Sequence, residues 1–165
     1  MTDQFPRFSA ENVASWCAPS IPPVIGRHET VVAFHALSPK LRFIKTLPVA
    51  ASMLDAGAGA GSMILFKLWP DPPRGDLRMF AWAGQKGELF DRFEASEVGW
   101  WPKNPPDFDG RRFDAITCVN FIEHIDDPYN FVRFCAKRLN PHGRIYLEWP
   151  LPNLSTCHQR RSSGQ

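Results

Sequence analysis

The run Met53-Leu-Asp-Ala-Gly-Ala-Gly-Ala-Gly-Ser62 constrains this chain more than any other stretch. An apolar segment from Val49 to Leu54 ends in an acid, three glycines alternate with alanines, and a second apolar segment runs from Met63 to Trp69. That order reads as strand, tight loop and helix. Glycine at positions 57, 59 and 61 removes side chains where the chain turns sharply, where φ turns positive and where a ligand would touch backbone. The spacing narrows the ligand. A dinucleotide loop wants its third glycine three places after its second, where Ser62 stands; a P-loop wants Gly-Lys-Ser/Thr, and no lysine follows before Lys67. A Gly/Ala-rich turn that binds nothing is the plain alternative on this stretch alone.

A chain of 165 residues fits one domain with a sizeable core. A formal net charge of +2, with the basic residues scattered apart from Arg111-Arg112 and Arg160-Arg161, is no polyelectrolyte signature, so nucleic acid is not implied. Cys17, Cys118, Cys135 and Cys157 lie far apart without a C-x-x-C pair. No signal peptide precedes them, since the chain opens on the polar Met-Thr-Asp-Gln. They read as free thiols in a reducing, cytoplasmic setting. The longest apolar neighbourhood, Leu47 to Trp69, contains Asp55, Lys67 and the glycines, which argues against a membrane span.

Residues 1–26 mix aromatic and small polar residues around four prolines without a sustained period, and read as an N-terminal arm or cap. Between Arg27 and Leu47 apolar residues recur at roughly helical spacing around Pro39, which predicts two short helices, the second starting near that proline. After the glycine loop the helix must end by Pro70. Leu77 to Ala83 reads as a second strand, Lys86 to Ala95 as a short helix with Leu89, Phe90 and Phe93 on one face, and Glu97 to Trp101 as a third strand. Phe113 to Asn120 is a fourth strand. Asp127 is a natural N-cap with Pro128 at the first helical position, and Phe131, Val132, Phe134, Cys135 and Leu139 give the next helix its apolar stripe. Asn140-Pro-His-Gly143 ends that helix, and Arg144 to Trp149 is a fifth strand.

Two of these blocks carry a resemblance. Asp55-x-Gly57-x-Gly59-x-Gly61 at the end of a first strand resembles motif I of the class I methyltransferases that use S-adenosylmethionine (SAM), and Phe113-Asp through Glu123-His124 to Asp127-Pro128 resembles motif IV. The stretch from His35 to Ile44 is similar to the segment preceding motif I in ubiquinone-biosynthesis O-methyltransferases. The resemblance covers about residues 35 to 150, and it implies an α/β, Rossmann-like, doubly wound and mostly parallel sheet of order 3-2-1-4-5 with helices on both faces. It implies a SAM-binding domain over residues 27–150. Residues 151–165 then read as a disordered tail, too short for the last two strands such a sheet usually carries. That leaves strand five as an edge open to a partner or to a second copy.

The same resemblance assigns roles residue by residue. The loop backbone at Gly57, Ala58, Gly59 and Gly61 would cradle the cofactor's methionine and ribose portions, and Asp55 would help to hold its ammonium. Arg42 would lie near the cofactor. Val119 and Asn120 fall where strand four opens into the crevice beside strand one, the place for a cofactor in a doubly wound sheet. Glu123 and His124 are the candidates for catalysis, with His124 either a base or a residue that orders its loop. Some relatives use Glu-x-x-Glu-His to hold a divalent metal; with Asn120 in place of the first carboxylate no metal is expected. A second departure is that strand two ends Ala83-Gly84-Gln85, where the family has an acid for the two ribose hydroxyls. Either Gln85 substitutes, or backbone and water hold the ribose, or binding is impaired by about 1.5–3 kcal/mol. Glu97 and the Trp100-Trp101 pair are further candidates for the adenine end, or else a solvated loop acid and core or cap residues. The expectation is methyl transfer from SAM to a small-molecule acceptor. A non-catalytic module of the same fold that serves a partner is the alternative, and an NAD-dependent oxidoreductase is disfavoured by the glycine spacing.

Overall fold

In a computed structural model, which describes residues 39–67 and 73–149, the centre of the molecule is a strand with no solvent-facing side. β1, Ser52–Ala56, is buried at all five positions, as expected of a strand covered on both faces of a parallel sheet. β2 (Arg78–Ala83) and β4 (Phe113–Val119) flank it and are buried nearly throughout. β3 (Ala95–Val98) and β5 (Leu139–Glu148) form the edges and are half exposed. All pairs are parallel and the order is β3-β2-β1-β4-β5, as the resemblance implied.

The two faces hold separate apolar clusters. Met53, Met79, Ala81 and Ala115 face one way, against Ile64, Phe90 and the helix α1, Pro39–Lys45. Leu54, Phe80, Trp82, Ile116 and Cys118 face the other, against Phe108 and the helix α2, Pro128–Lys137. α1 buries Leu41 and Ile44, three residues apart and so on one side. It runs antiparallel along β5: Lys40 meets Glu148, the Phe43 ring lies 5.3 Å from that of Tyr146, and the Thr46 carbonyl accepts from Arg144 at 2.8 Å. Arg74 clamps its far end, donating to the carbonyls of Ile44, Leu47 and Pro48 while paired with Asp76. α2 starts as its sequence predicts, with Asp127 accepting from the Asn130 N–H at 3.0 Å and Pro128 in the first turn.

Four expectations need correction. The segment after the glycines is a 3-10 turn over Ser62–Lys67 instead of an α-helix; prolines close behind leave little more than a turn in which i→i+4 bonds could propagate. The stripe of Leu89, Phe90 and Phe93 is buried, but only Phe90–Arg92 is helical, again 3-10. β3 lies at Ala95–Val98 rather than at 97–101. An edge strand reading Ala-Ser-Glu-Val has no apolar alternation, whereas the aromatic residues lie beyond it at Trp100 and Trp101. Asn140–Gly143 does not separate helix from strand; it is a bulge inside β5, between the Phe113–Leu139 and Ala115–Arg144 pairs, tied down by Asn140 donating to Asp114 at 2.7 Å. The arm at 1–26, the first of the two short helices and the tail at 151–165 lie outside the described residues. Among the described residues no helix is long and apolar enough to cross a membrane.

Candidate functional site

Parallel strands end together, and at their carboxyl ends β1 turns away from β4 and leaves a crevice. Asp55 sits there, paired in register with Ala81 of β2 and Thr117 of β4. It is 2 % exposed. The Thr117 hydroxyl donates to its Oδ1 at 3.0 Å, while Oδ2 is buried with no hydrogen-bond partner among the described residues. Burial pushes the carboxyl up to about 7, against the pull of the Thr117 bond and of the Lys40 charge. A buried carboxylate oxygen without a donor is costly. It is also an acceptor ready for a ligand's N–H.

The glycines do different jobs. The N–H groups of Gly57 and Ala58 both donate to the Trp82 carbonyl, at 2.8 and 3.0 Å, folding the loop back over β2. Gly57 has φ +78°, and a side-chain carbon there would stand 2.1 Å from Cγ of Phe121. Phe121 itself packs edge-on against Trp82 and Phe131. Position 57 is therefore glycine because the loop after β4 fills the space. Gly59, with φ +55°, has nothing within 4 Å of where a side chain would begin. It is the glycine whose bareness the protein's own packing does not use. Gly61, φ +88°, lies against Phe93 and Leu89.

β4 pairs with β1 only as far as Thr117 but with β5 as far as Val119, so Val119 stands beyond the turn of β1. Asn120, at φ +49°, donates its N–H to the Glu148 carbonyl at 2.8 Å and is exposed. Glu123 and His124 lie on the short turn that follows; the His124 side chain is 71 % exposed and its Nε2 is 4.0 Å from Glu123 Oε1. Arg42 is exposed on α1. The strand order thus puts Asp55, Gly57, Ala58, Gly59, Val119 and Asn120 at the carboxyl ends of β1 and β4, with Glu123 and His124 on the turn that follows β4.

At the place of the missing acid, Ala83 ends β2 fully buried and Gln85 is exposed. Trp100 lies over Gly84 so closely that a side-chain carbon there would stand 2.5 Å from its ring. Trp101 packs in the core against Phe131 and Phe134. Glu97 accepts from the N–H groups of Asp107 and Phe108, at 2.8 and 2.6 Å, and so anchors a loop.

Sequence reasoning missed a polar cluster beside the crevice. On the Asp55 face, Tyr146 of β5 stands opposite Thr117, and its hydroxyl donates to Glu148 Oε2 at 2.6 Å. Lys40 donates to Glu148 Oε1 at 3.0 Å. Burial and the Glu148 carboxylate raise the Tyr146 phenol above its ordinary range. Lys40 and Glu148 are 108 residues apart, and only the run of α1 along β5 brings them together. A separate cleft of about 240 Å³, lined by Thr46, Asp114 and His142 among others, lies at the opposite end of the sheet, far from these groups. Among the described residues no three His, Cys, Asp or Glu side chains gather as metal ligands.

Residues 31–165 match a family model described as a methyltransferase domain. The chain is 29 % identical over 121 residues to a ubiquinone biosynthesis O-methyltransferase of Xanthomonas axonopodis pv. citri, covering 68 % of this chain and 50 % of that protein. A protein of the same name from Proteus mirabilis is 42 % identical over 37 residues, 22 % of this chain and 15 % of its own length. Among solved structures, a SAM-dependent methyltransferase from Geobacter sulfurreducens in complex with S-adenosyl-L-homocysteine superposes with a TM-score of 0.44 and 18 % identity, over 67 % of this chain and 47 % of that one. The chain spans at most half the length of these curated relatives.

Proposed function

This chain belongs to the methyltransferase-domain family, and from that membership we propose that it binds SAM in the crevice at the carboxyl ends of β1 and β4 and transfers its methyl group to a small-molecule acceptor. The observation that carries the reading is Asp55: a carboxyl group buried at the end of the central strand, with one oxygen unpartnered among the described residues and a loop of positive-φ glycines immediately after it. That donor-seeking oxygen fits the ammonium of the cofactor's methionine end, and the bare space at Gly59 fits close approach of the ligand to backbone. The ribose end fits less well, since Ala83 offers no carboxylate; a lost pair of charge-assisted bonds weakens binding by about ten-fold to a hundred-fold.

SAM supplies a methyl group made electrophilic by its sulfonium. What this chain contributes is placement: Asp55, Gly59 and the backbone at Val119 and Asn120 hold and orient, and such positioning is the main catalytic need of an in-line displacement. Exposed His124, beside Glu123, is the group proposed to take a proton from an acceptor hydroxyl. Arg42 is proposed to lie near the bound cofactor.

Calorimetric titration with SAM tests the reading. Saturable binding by the wild type, weakened at least about tenfold by Asp55→Asn, supports it; a folded protein that binds no SAM overturns it. Ala83 favours a second reading, a fold that binds SAM weakly without turnover and serves a partner. Binding without methyl transfer across an acceptor screen selects that one.

A further inference from the structure

We propose that the Trp100 indole is a gate on the nucleoside end of the site, closed in the ligand-free chain, so that a nucleoside enters only as the ring swings off Gly84. This rests on the SAM-binding reading above and adds to it the residue that sets how readily the cofactor is admitted. The two ends of the site differ. After β1, Asp55 Oδ2 is without a donor among the described residues, and Gly59 has nothing within 4 Å of where a side chain would begin. At the end of β2, where the ribose would sit, Ala83 is 5 % exposed, in one apolar cluster with Leu89, Phe90 and Phe93, and Gly84 lies under Trp100. The turn after β2 abuts the glycine loop. Leu89 donates its N–H to the Ala60 carbonyl at 3.0 Å, and a side-chain carbon at Gly87 would stand 2.3 Å from the Gly59 carbonyl oxygen. The open place at Gly59 and the covered floor at Ala83 and Gly84 thus belong to segments in contact.

What makes the indole a gate is how it is held. Its six-membered ring lies so near Gly84 that a side-chain carbon there would meet Cζ2, Cη2 and Cε2 at 2.5, 2.6 and 2.7 Å. Gly84 has no left-handed φ, so its bareness serves the ring and not a turn. Yet Trp100 is 65 % exposed, and most of its surface faces water. The backbone around it is pinned. Gly99 donates its N–H to the Ala83 carbonyl at 3.0 Å, and the Trp100 carbonyl accepts from the Asn104 N–H at 2.8 Å. Trp101 packs against Phe131 and Phe134. Opening therefore takes rotation of one side chain about its own torsions and leaves β3 in place. The covered third of a tryptophan is roughly 50–90 Å² of mostly apolar surface, which favours the closed state by about tenfold to fortyfold. A ligand that needs the open state loses apparent affinity by the same factor.

Calorimetric affinities for SAM are compared in the wild type, Trp100→Ala and Gly84→Ala. The first variant removes the ring, and because the ring is mostly exposed its loss should leave the thermal melt almost unchanged. The second keeps the ring and evicts it from its seat, since the new carbon takes the place the ring occupies. Both variants should bind SAM about tenfold more tightly than the wild type, and stopped-flow mixing should put the gain in the association rate. A stacking platform for the adenine would behave in the opposite way, because removing a ring that holds a base weakens binding. Weaker binding by Trp100→Ala, or binding equal to that of the wild type, therefore overturns the gate while leaving SAM binding intact. If neither the wild type nor a folded Trp100→Ala binds SAM, the SAM-binding reading falls and this one with it.

Discussion

Asp55→Asn should make the ligand-free protein more stable above pH 7, even as it weakens ligand binding. The Asp55 carboxyl is raised from an ordinary 3.8 to about 7, chiefly by burial. In the unfolded chain it ionises near 4; in the folded protein it keeps its proton until about 7. Between those values the folded state binds more protons than the unfolded one, so stability falls as pH rises, and the loss is complete above pH 7 at about 4 kcal/mol. The amide never ionises, so the variant escapes that loss. One of its two polar atoms inherits the unpartnered place of Oδ2, which costs about 1–3 kcal/mol. The expected net gain at pH 8 is about 1–3 kcal/mol, vanishing or reversing at pH 4.5, where the wild-type carboxyl is neutral in the folded state. Urea unfolding of both proteins at half-unit steps from pH 4.5 to 8.5 reads the difference directly. The carboxyls held low by their partners, Asp76 beside Arg74 and Asp107 beside Arg138, are common to both proteins and cancel. An Asn variant that is less stable than the wild type at pH 8, or a difference that does not grow with pH, would refute the claim that Asp55 is a buried charge awaiting a partner.

The remaining expectations concern packing. Gly57→Ala should destabilise by about 2–4 kcal/mol, because its new carbon collides with Phe121 at a positive φ, whereas Gly59→Ala should cost only about 1–2 kcal/mol of backbone strain; paired thermal melts check the order. Glu97→Ala frees two backbone N–H groups of the 107–108 loop and should cost about 1–3 kcal/mol, with faster amide exchange confined to that loop. Cys118 and Cys135 are buried and their thiols pushed up to about 12 by burial, so in a Cys17→Ser/Cys157→Ser background neither should react with a thiol reagent until urea unfolds the chain.

The elements that were legible are those whose local signals agree with their place in the sheet. β1, β2 and β4 are covered on both faces, so they read as unbroken apolar runs, and α2 carries its own start signal in Asp127-Pro128. β3 is not legible, because an edge strand of Ala-Ser-Glu-Val needs no apolar pattern. The site divides in the same way. Asp55 and the glycines were readable from one short stretch, but the reason for each glycine was not: Gly57 answers to Phe121, 64 positions later and on another loop, and only Gly59 is left open toward a ligand. Lys40, Tyr146 and Glu148 gave no signal, since a lone lysine on a short helix and an acid near a strand's end are ordinary surface residues until α1 lies along β5.

Strand order also dictates a sequence in time. β1 gains β2 on one side after a short connection, but its other side waits for β4, and Thr117 follows Asp55 by 62 residues. At a synthesis rate of about 5–20 residues per second, Asp55 spends roughly 3–12 s without the hydroxyl of Thr117. A β1–β2 pair formed in that interval would hold the Asp55 carboxyl beside a strand edge still open to water, where its charge would discourage wrong pairing with another nascent chain. The carboxylate that later burdens the finished fold would thus guard its most vulnerable edge while the chain is still being made.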